Sequence, residues 1–164
     1  MNALSLAPSG QARRAMLQGA LAFAGLCIAA PVLADVIPAD LDLQAFRGKV
    51  VFIDFWASWC GPCKLSFPYL RRIAQFNKNK PFALVSVNVD HAHTDALVFL
   101  QENGPDVDVI FDPKGVLAAR FNVKAMPTSI LIGKDGRIRY VHQGFFPDKT
   151  PLYNAHISEL LNEN

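Results

Sequence analysis

Residues Val50-Val51-Phe52-Ile53-Asp54-Phe55-Trp56 form an apolar run broken by one acid, and after three further residues the chain reads Cys60-Gly61-Pro62-Cys63. A continuous run of β-branched and aromatic residues suits a strand covered on both faces, the usual state of a central parallel strand. From Cys63 the period changes. Cys63, Phe67, Leu70 and Ala74 recur at spacings of 4, 3 and 4, which is one stripe of an amphipathic helix, with Arg71, Arg72 and Gln75 off the stripe. Pro68 falls inside that helix and is expected to kink it, because it cannot donate to the carbonyl one turn earlier.

The rest of the chain completes the pattern. Ala83 to Val89 alternates like a second strand, and Thr94 to Glu102 reads as a helix ended by Asn103-Gly104-Pro105. Val107 to Phe111 is a short strand, and Gly115 to Phe121 a short helix. Thr128 to Ile132 and Ile138 to Gln143 flank Lys134-Asp135-Gly136, a hairpin signal, and a last helix is expected over Thr150 to Leu161. The order β-α-β-(α-β)-α-β-β-α predicts an α/β domain. A parallel βαβ unit and an antiparallel hairpin would share one mixed sheet with helices on both faces. With 164 residues the chain has room for one such domain, expected over residues 35–164, and it contains no repeat or low-complexity tract.

The N-terminus is built differently. Residues 1–34 contain no acid, and their only charges are Arg13 and Arg14, followed by a run to Leu33 that is apolar apart from Gln18. A basic start, an apolar middle and Val32-Leu33-Ala34 before Asp35 form a secretory signal with cleavage expected after Ala34. Arg13-Arg14 also resembles a twin-arginine export signal, and an uncleaved membrane anchor is the alternative fate of the same segment. Cys27 lies within it and is read as a small hydrophobe. Of the 16 basic residues two lie in this segment, which leaves 14 against 14 acidic ones in the mature domain. No basic surplus argues for a nucleic-acid partner. The mature domain keeps two cysteines, Cys60 and Cys63.

Cysteines at i and i+3 across a strand-to-helix junction bring their sulfurs within bonding distance. Cys60 would sit where unpaired N–H groups and the helix dipole stabilise a thiolate, and Cys63 one turn further in, shielded. That asymmetry assigns Cys60 the attack on a substrate disulfide and Cys63 the resolution of the mixed disulfide. Pro62 belongs in a first helical turn, where a missing donor costs little. Half a zinc site is the competing reading, but zinc needs two more ligands. The remaining histidines, His91, His93, His142 and His156, are not spaced as a zinc-finger pair, so no metal is expected. A purely structural disulfide closing so small a loop would constrain the unfolded chain little.

Phe55-Trp56-Ala57-Ser58-Trp59-Cys60-Gly61-Pro62-Cys63-Lys64 resembles the active-site segment of thioredoxins, and Ala125-Met126-Pro127-Thr128 resembles their cis-proline loop. Leu43 to Val51, Asp112-Pro113-Lys114-Gly115 and Phe121 to Thr128 are similar to the exported TlpA-type branch, which includes reductants for cytochrome c maturation. The segment between Asp90 and Phe111 corresponds to that branch's helix-strand insertion. The resemblance implies a thioredoxin fold and a redox-active Cys60–Cys63 disulfide. It also implies a cis Pro127, whose loop leaves the Met126 backbone free to pair with an incoming peptide. Trp59, Gly61, Pro62, Met126 and Pro127 would then line the substrate site.

Asp54 is costly to bury in an apolar strand and is read as a general base for Cys63, a role the resemblance supports. Two departures from the family pattern stand near it. Ser86 occupies the position of a lysine usual in thioredoxins, and Ser66 that of a glutamate frequent in TlpA-type proteins. His91 and His93 are read as a solvated loop, and Arg71-Arg72 as a solvated helix face.

These observations predict an exported, periplasmic reductant that cleaves disulfides in client proteins. It would be fed by a membrane electron donor of the thiol-transfer type and act as a monomer without a cofactor. A disulfide oxidant or isomerase is the nearest alternative; Gly61-Pro62 resembles the reducing thioredoxins, whereas oxidants usually carry a His between the cysteines. A copper-chaperone-like module on the same fold, with His142 as a ligand, is the alternative from another class. The spacing of two residues between the cysteines argues against it.

Overall fold

The computed structural model describes Leu41, residues 43–103 and residues 109–163. The expected signal at 1–34, the Gly104-Pro105 stop and the start of the strand at Val107 lie outside the described residues. Among the described residues no helix is long and apolar enough to cross a membrane.

Five strands make one sheet: β1 (Val50–Trp56), β2 (Phe82–Asn88), β3 (Val109–Phe111), β4 (Thr128–Ile132) and β5 (Ile138–Gln143). Their spatial order is β3-β2-β1-β4-β5. β1 pairs parallel with β2 and antiparallel with β4; β2 pairs parallel with β3, and β4 antiparallel with β5. Every residue of β1 is buried, as its unbroken apolar run requires of a central strand. The helices are α1 (Gly61–Asn77), α2 (His93–Asn103), α3 (Val116–Arg120) and α4 (Thr150–Asn162). Single 3₁₀ turns at Leu43–Phe46 and Pro147–Lys149, which periodicity does not reveal, lead into β1 and α4.

α1 continues through Pro68 to Asn77. Its buried face is wider than the expected stripe. Ala74 is half-buried, while Ile73 and Asn77 are buried beside Cys63, Phe67 and Leu70. Helical drift of 3.6 residues per turn moves the face from position 74 to 73 and 77. Two polar residues on that face bond to the helix's own carbonyls, Ser66 Oγ to Cys63 at 2.9 Å and Asn77 Nδ2 to Ile73 at 2.8 Å.

Side chains alternate across the sheet and build two cores. Phe52, Trp56 and Leu131 pack with α1, α2 and α4 on one face. Val51, Ile53, Phe55, Val85, Val87, Ile130 and Ile132 pack with Leu117 of α3 on the other. Helices therefore cover both faces. The expected insertion supplies α2, whose Phe99 lies 4.9 Å from the Trp56 ring and 5.0 Å from Phe67. That aromatic trio supports the first turns of α1 from below. Gly136, at φ 81°, turns the hairpin, and its N–H bonds to Gly133 at 2.9 Å.

Candidate active site

β1 delivers the chain to a short loop, Ala57-Ser58-Trp59, and Cys60 then caps α1 with an extended backbone. The buried carboxylate of Asp90 holds that loop. Its oxygens accept the Ser58 N–H at 3.0 and 3.1 Å and the Ser58 hydroxyl at 3.1 Å. Asn88 Nδ2 donates to the same carboxylate at 2.7 Å. Asp90 therefore positions the cysteine loop from 32 residues away, and no local pattern announces it. Its position just past an apolar strand is the only trace in the sequence, and that trace does not say which loop the acid meets.

The two cysteines are joined as a disulfide, with Cα atoms 5.3 Å apart. Cys60 Sγ accepts the backbone N–H of Cys63 at 3.2 Å. In the dithiol state the same donor and the N-terminus of a 17-residue helix would face a Cys60 thiolate. Cys60 is 4% exposed and Cys63 0%, so the expected asymmetry has the right sign but is small in the oxidised state. Trp59 beside them is 69% exposed, and Gly61 and Pro62 are exposed in the first turn.

The Met126-Pro127 bond is cis. Thr128 Oγ1 closes its loop on the Ala125 carbonyl at 2.7 Å, and the Gly144 N–H ties the Pro127 carbonyl to the end of β5 at 2.7 Å. Gly144 has φ 76°, and a Cβ there would stand 3.1 Å from the Phe146 ring, so a side chain at this tie is strained twice. Pro127 is buried; Met126 is half-buried and packs against both cores, so its side chain is part wall and part surface.

Asp54 is fully buried on the sheet face that carries Phe52, Trp56 and, across from them, both cysteines. Ser129 Oγ donates to Asp54 Oδ1 at 2.8 Å, and Oδ2 has no hydrogen-bond partner among the described residues. Burial raises the carboxyl to about 7, against a smaller lowering by the Ser129 hydrogen bond. An acid with that affinity can take and release a proton near neutrality. Ser86, where thioredoxins carry a lysine, is aligned with Asp54 in the register, and its hydroxyl accepts the Trp56 indole N–H at 2.6 Å. Ser66 is buried against the Cys63 carbonyl, so neither departure puts a second charge beside Asp54.

The histidines fall outside the cysteine loop. His91 Nδ1 lies 3.1 Å from the Pro113 carbonyl, His93 begins α2 against Phe111, and His142 Nε2 lies 3.0 Å from His156 Nδ1. Among the described residues no three His, Cys, Asp or Glu side chains gather as a metal site.

A Redoxin family model matches residues 8–157. The chain belongs to the Redoxin family. Among curated relatives, the thiol-disulfide oxidoreductase ResA of Bacillus subtilis (strain 168) is 31% identical over 113 residues. That match covers 69% of this chain and 63% of the relative, so the chain spans less than two thirds of that protein's length. Among solved structures, a putative thiol:disulfide interchange protein DsbE from Chlorobium tepidum superposes with a TM-score of 0.71 at 41% identity. It covers 73% of this chain and 85% of its own. A putative protein disulfide isomerase from Bacteroides thetaiotaomicron superposes with a TM-score of 0.67 at 28% identity, covering 74% and 79%. The α/β fold expected for this Redoxin-family chain is the fold of these structural neighbours.

Proposed function

We propose that the chain is a thiol-disulfide oxidoreductase that reduces disulfides in client proteins through Cys60 and Cys63. One observation carries the proposal: a disulfide-bonded pair at the start of α1, flanked by an exposed Trp59 and on the same side of the sheet as a buried acid raised to about 7. Resemblance to proteins called thiol-disulfide oxidoreductase and thiol:disulfide interchange protein supports the same reaction class.

In the forward direction the Cys60 thiolate attacks a client disulfide, forming a mixed disulfide and expelling one client thiolate. Cys63 then gives its proton to Asp54 and attacks Cys60. The Cys60–Cys63 bond forms, and the second client sulfur leaves with the electron pair. Trp59, Gly61, Pro62 and the Met126-Pro127 loop are the client-facing surface. The acid-free, arginine-led apolar N-terminus supports export to the periplasm, as a cleaved or tethered protein. There a membrane thiol donor would restore the dithiol, and the domain would work as a monomer without cofactor or nucleic acid.

Cys63→Ser freezes the mixed disulfide on Cys60. The expected result is a covalent client adduct released by dithiothreitol and absent from Cys60→Ser. Adducts retained in Cys60→Ser would overturn the order of attack. A reduction potential near the −120 mV of strong oxidants would reverse the direction of transfer.

A further inference from the structure

Asp54 needs a route for its proton. A carboxyl with no exposed surface cannot exchange directly with bulk water, yet each resolution by Cys63 would load it once. The strand register places four polar side chains in one row across the sheet: Ser86, Asp54, Ser129 and His142, directly paired strand to strand. On the β2 side the row ends at Val109, which is aligned with Ser86. On the β5 side it ends at two histidines in contact, and the second of them, His156 on α4, is half-buried at the surface. Two buried side-chain atoms lack a hydrogen-bond partner among the described residues. They are Asp54 Oδ2 and His142 Nδ1, which lie on either side of Ser129.

We propose that Ser129, His142 and His156 form a proton relay that connects Asp54 to solvent along this row. The proposal rests on the Cys60/Cys63 reaction with Asp54 as base. When Asp54 is ionised, the Ser129 hydroxyl donates to it, as observed. Once Asp54 holds the Cys63 proton, the carboxyl donates to Ser129 Oγ, and the hydroxyl passes its own proton towards His142 Nδ1. His142 hands its Nε2 proton to His156 Nδ1, and His156 releases its Nε2 proton to water. One proton leaves, and no covalent bond between heavy atoms changes.

A hydroxyl and a neutral imidazole can each donate and accept at once. His142 stays neutral: burial first, and then His156, lowers it to about 4, so it passes a proton without storing one. The other titratable groups around the row leave this path open. From α4, Tyr153 packs on the His142 ring at 4.6 Å. On β5, Tyr140 stacks on His156 at 3.7 Å and spends its hydroxyl on Glu159 at 2.8 Å. From α1, Cys63 lies in the core on this side of the sheet and is the proton source, and Tyr69 donates to Asn154 at 3.0 Å.

The test uses 5,5′-dithiobis(2-nitrobenzoate) on the reduced full chain. Cys60 attack releases the first nitrothiobenzoate, and Cys63 attack on the resulting mixed disulfide releases the second. Ser129→Ala and His142→Phe are expected to slow the second release at least about tenfold at pH 6, with the first within about twofold and the deficit gone by pH 9. Ser129→Thr, which keeps the hydroxyl, should restore the pH 6 rate. A deficit equal at all pH values, or none, overturns the relay. An unchanged second release in Asp54→Asn overturns both the relay and the base it serves, and loss of the first release in the native chain overturns the oxidoreductase itself.

Discussion

The two faces of this sheet are made from the same strands, yet they are chemically unlike. In β1, Val51, Ile53 and Phe55 point into a core of aliphatic and aromatic side chains, with the buried Thr128 at its edge opposite Phe55. Phe52, Asp54 and Trp56, one residue out of phase, point to the face where α1 brings the cysteines, and there the polar row crosses the sheet. Burying Asp54 and Ser86 and half-burying Ser129 and His142 lowers stability, whereas the opposite face is packed mainly from apolar side chains. The difference separates holding the fold from doing its chemistry, and a strand with period two can serve both.

The strongest way to break that separation is at the cysteine. Cys60→Ser is expected to abolish disulfide reduction, measured as insulin or dithiobis-nitrobenzoate turnover, while leaving the fold intact. On the opposite face, Phe55→Ala removes a fully buried ring that lies 5.6 Å from Phe121. It should cost about 3–5 kcal/mol in denaturant unfolding and leave the folded protein's exchange rate within about twofold. A rate loss larger than that would mean that the two cores are coupled.

Asp54 and Phe55 are adjacent in sequence and opposite in effect. Asp54 is raised by burial from 3.8 to about 7, so the folded protein holds a proton that the unfolded chain has lost between those values. The stability tied to that proton is fully present below about pH 4 and is lost as pH rises through 7. Asp54→Asn should therefore match the native protein near pH 4 and exceed it at pH 8 by up to about 4 kcal/mol, while slowing Cys63. Parallel stability curves for the two proteins across this range would show that the carboxyl is not held near 7. His142 has the opposite sign: lowered from 6.5 to about 4, it favours the fold above pH 6.5 and loses that contribution as pH falls towards 4. His142→Phe should flatten that acid limb.

The apolar face was legible in the sequence, and the polar face only in part. β1, β4 and β5 have the bounds that the continuous apolar run and the Lys134-Asp135-Gly136 hairpin signal suggested, because those signals are local. Cys60, Cys63, Asp54 and Pro127 were singled out as candidates by their motif and by the oddity of an acid in an apolar run. The row was hidden because it depends on register between strands far apart in the chain. Ser129 in Thr128-Ser129-Ile130 carries no message until β4 is laid against Asp54 and His142. His142, considered as a copper ligand, instead contacts His156 across 14 residues, and Asp90 reaches Ser58 across 32. Periodicity reports which face a residue takes, not which residue it meets there.

The smallest expected effect tests the apolar face at its weakest edge. α3 has five residues, too few to persist on helical propensity, yet it supplies Leu117 to the core. Asp112 holds its start: Oδ1 accepts the Val116 N–H at 2.7 Å, and Oδ2 accepts the Ala118 N–H at 2.9 Å. Asp112→Ala leaves both donors at a helix N-terminus without their carboxylate and should cost about 1–2 kcal/mol. Both nitrothiobenzoate phases should keep their rates from pH 6 to pH 9, because α3 lies across the sheet from the row. A slowed second phase at pH 6 would mean that motion on the packing face reaches Asp54 through β1. The strand would then join the two faces rather than insulate them.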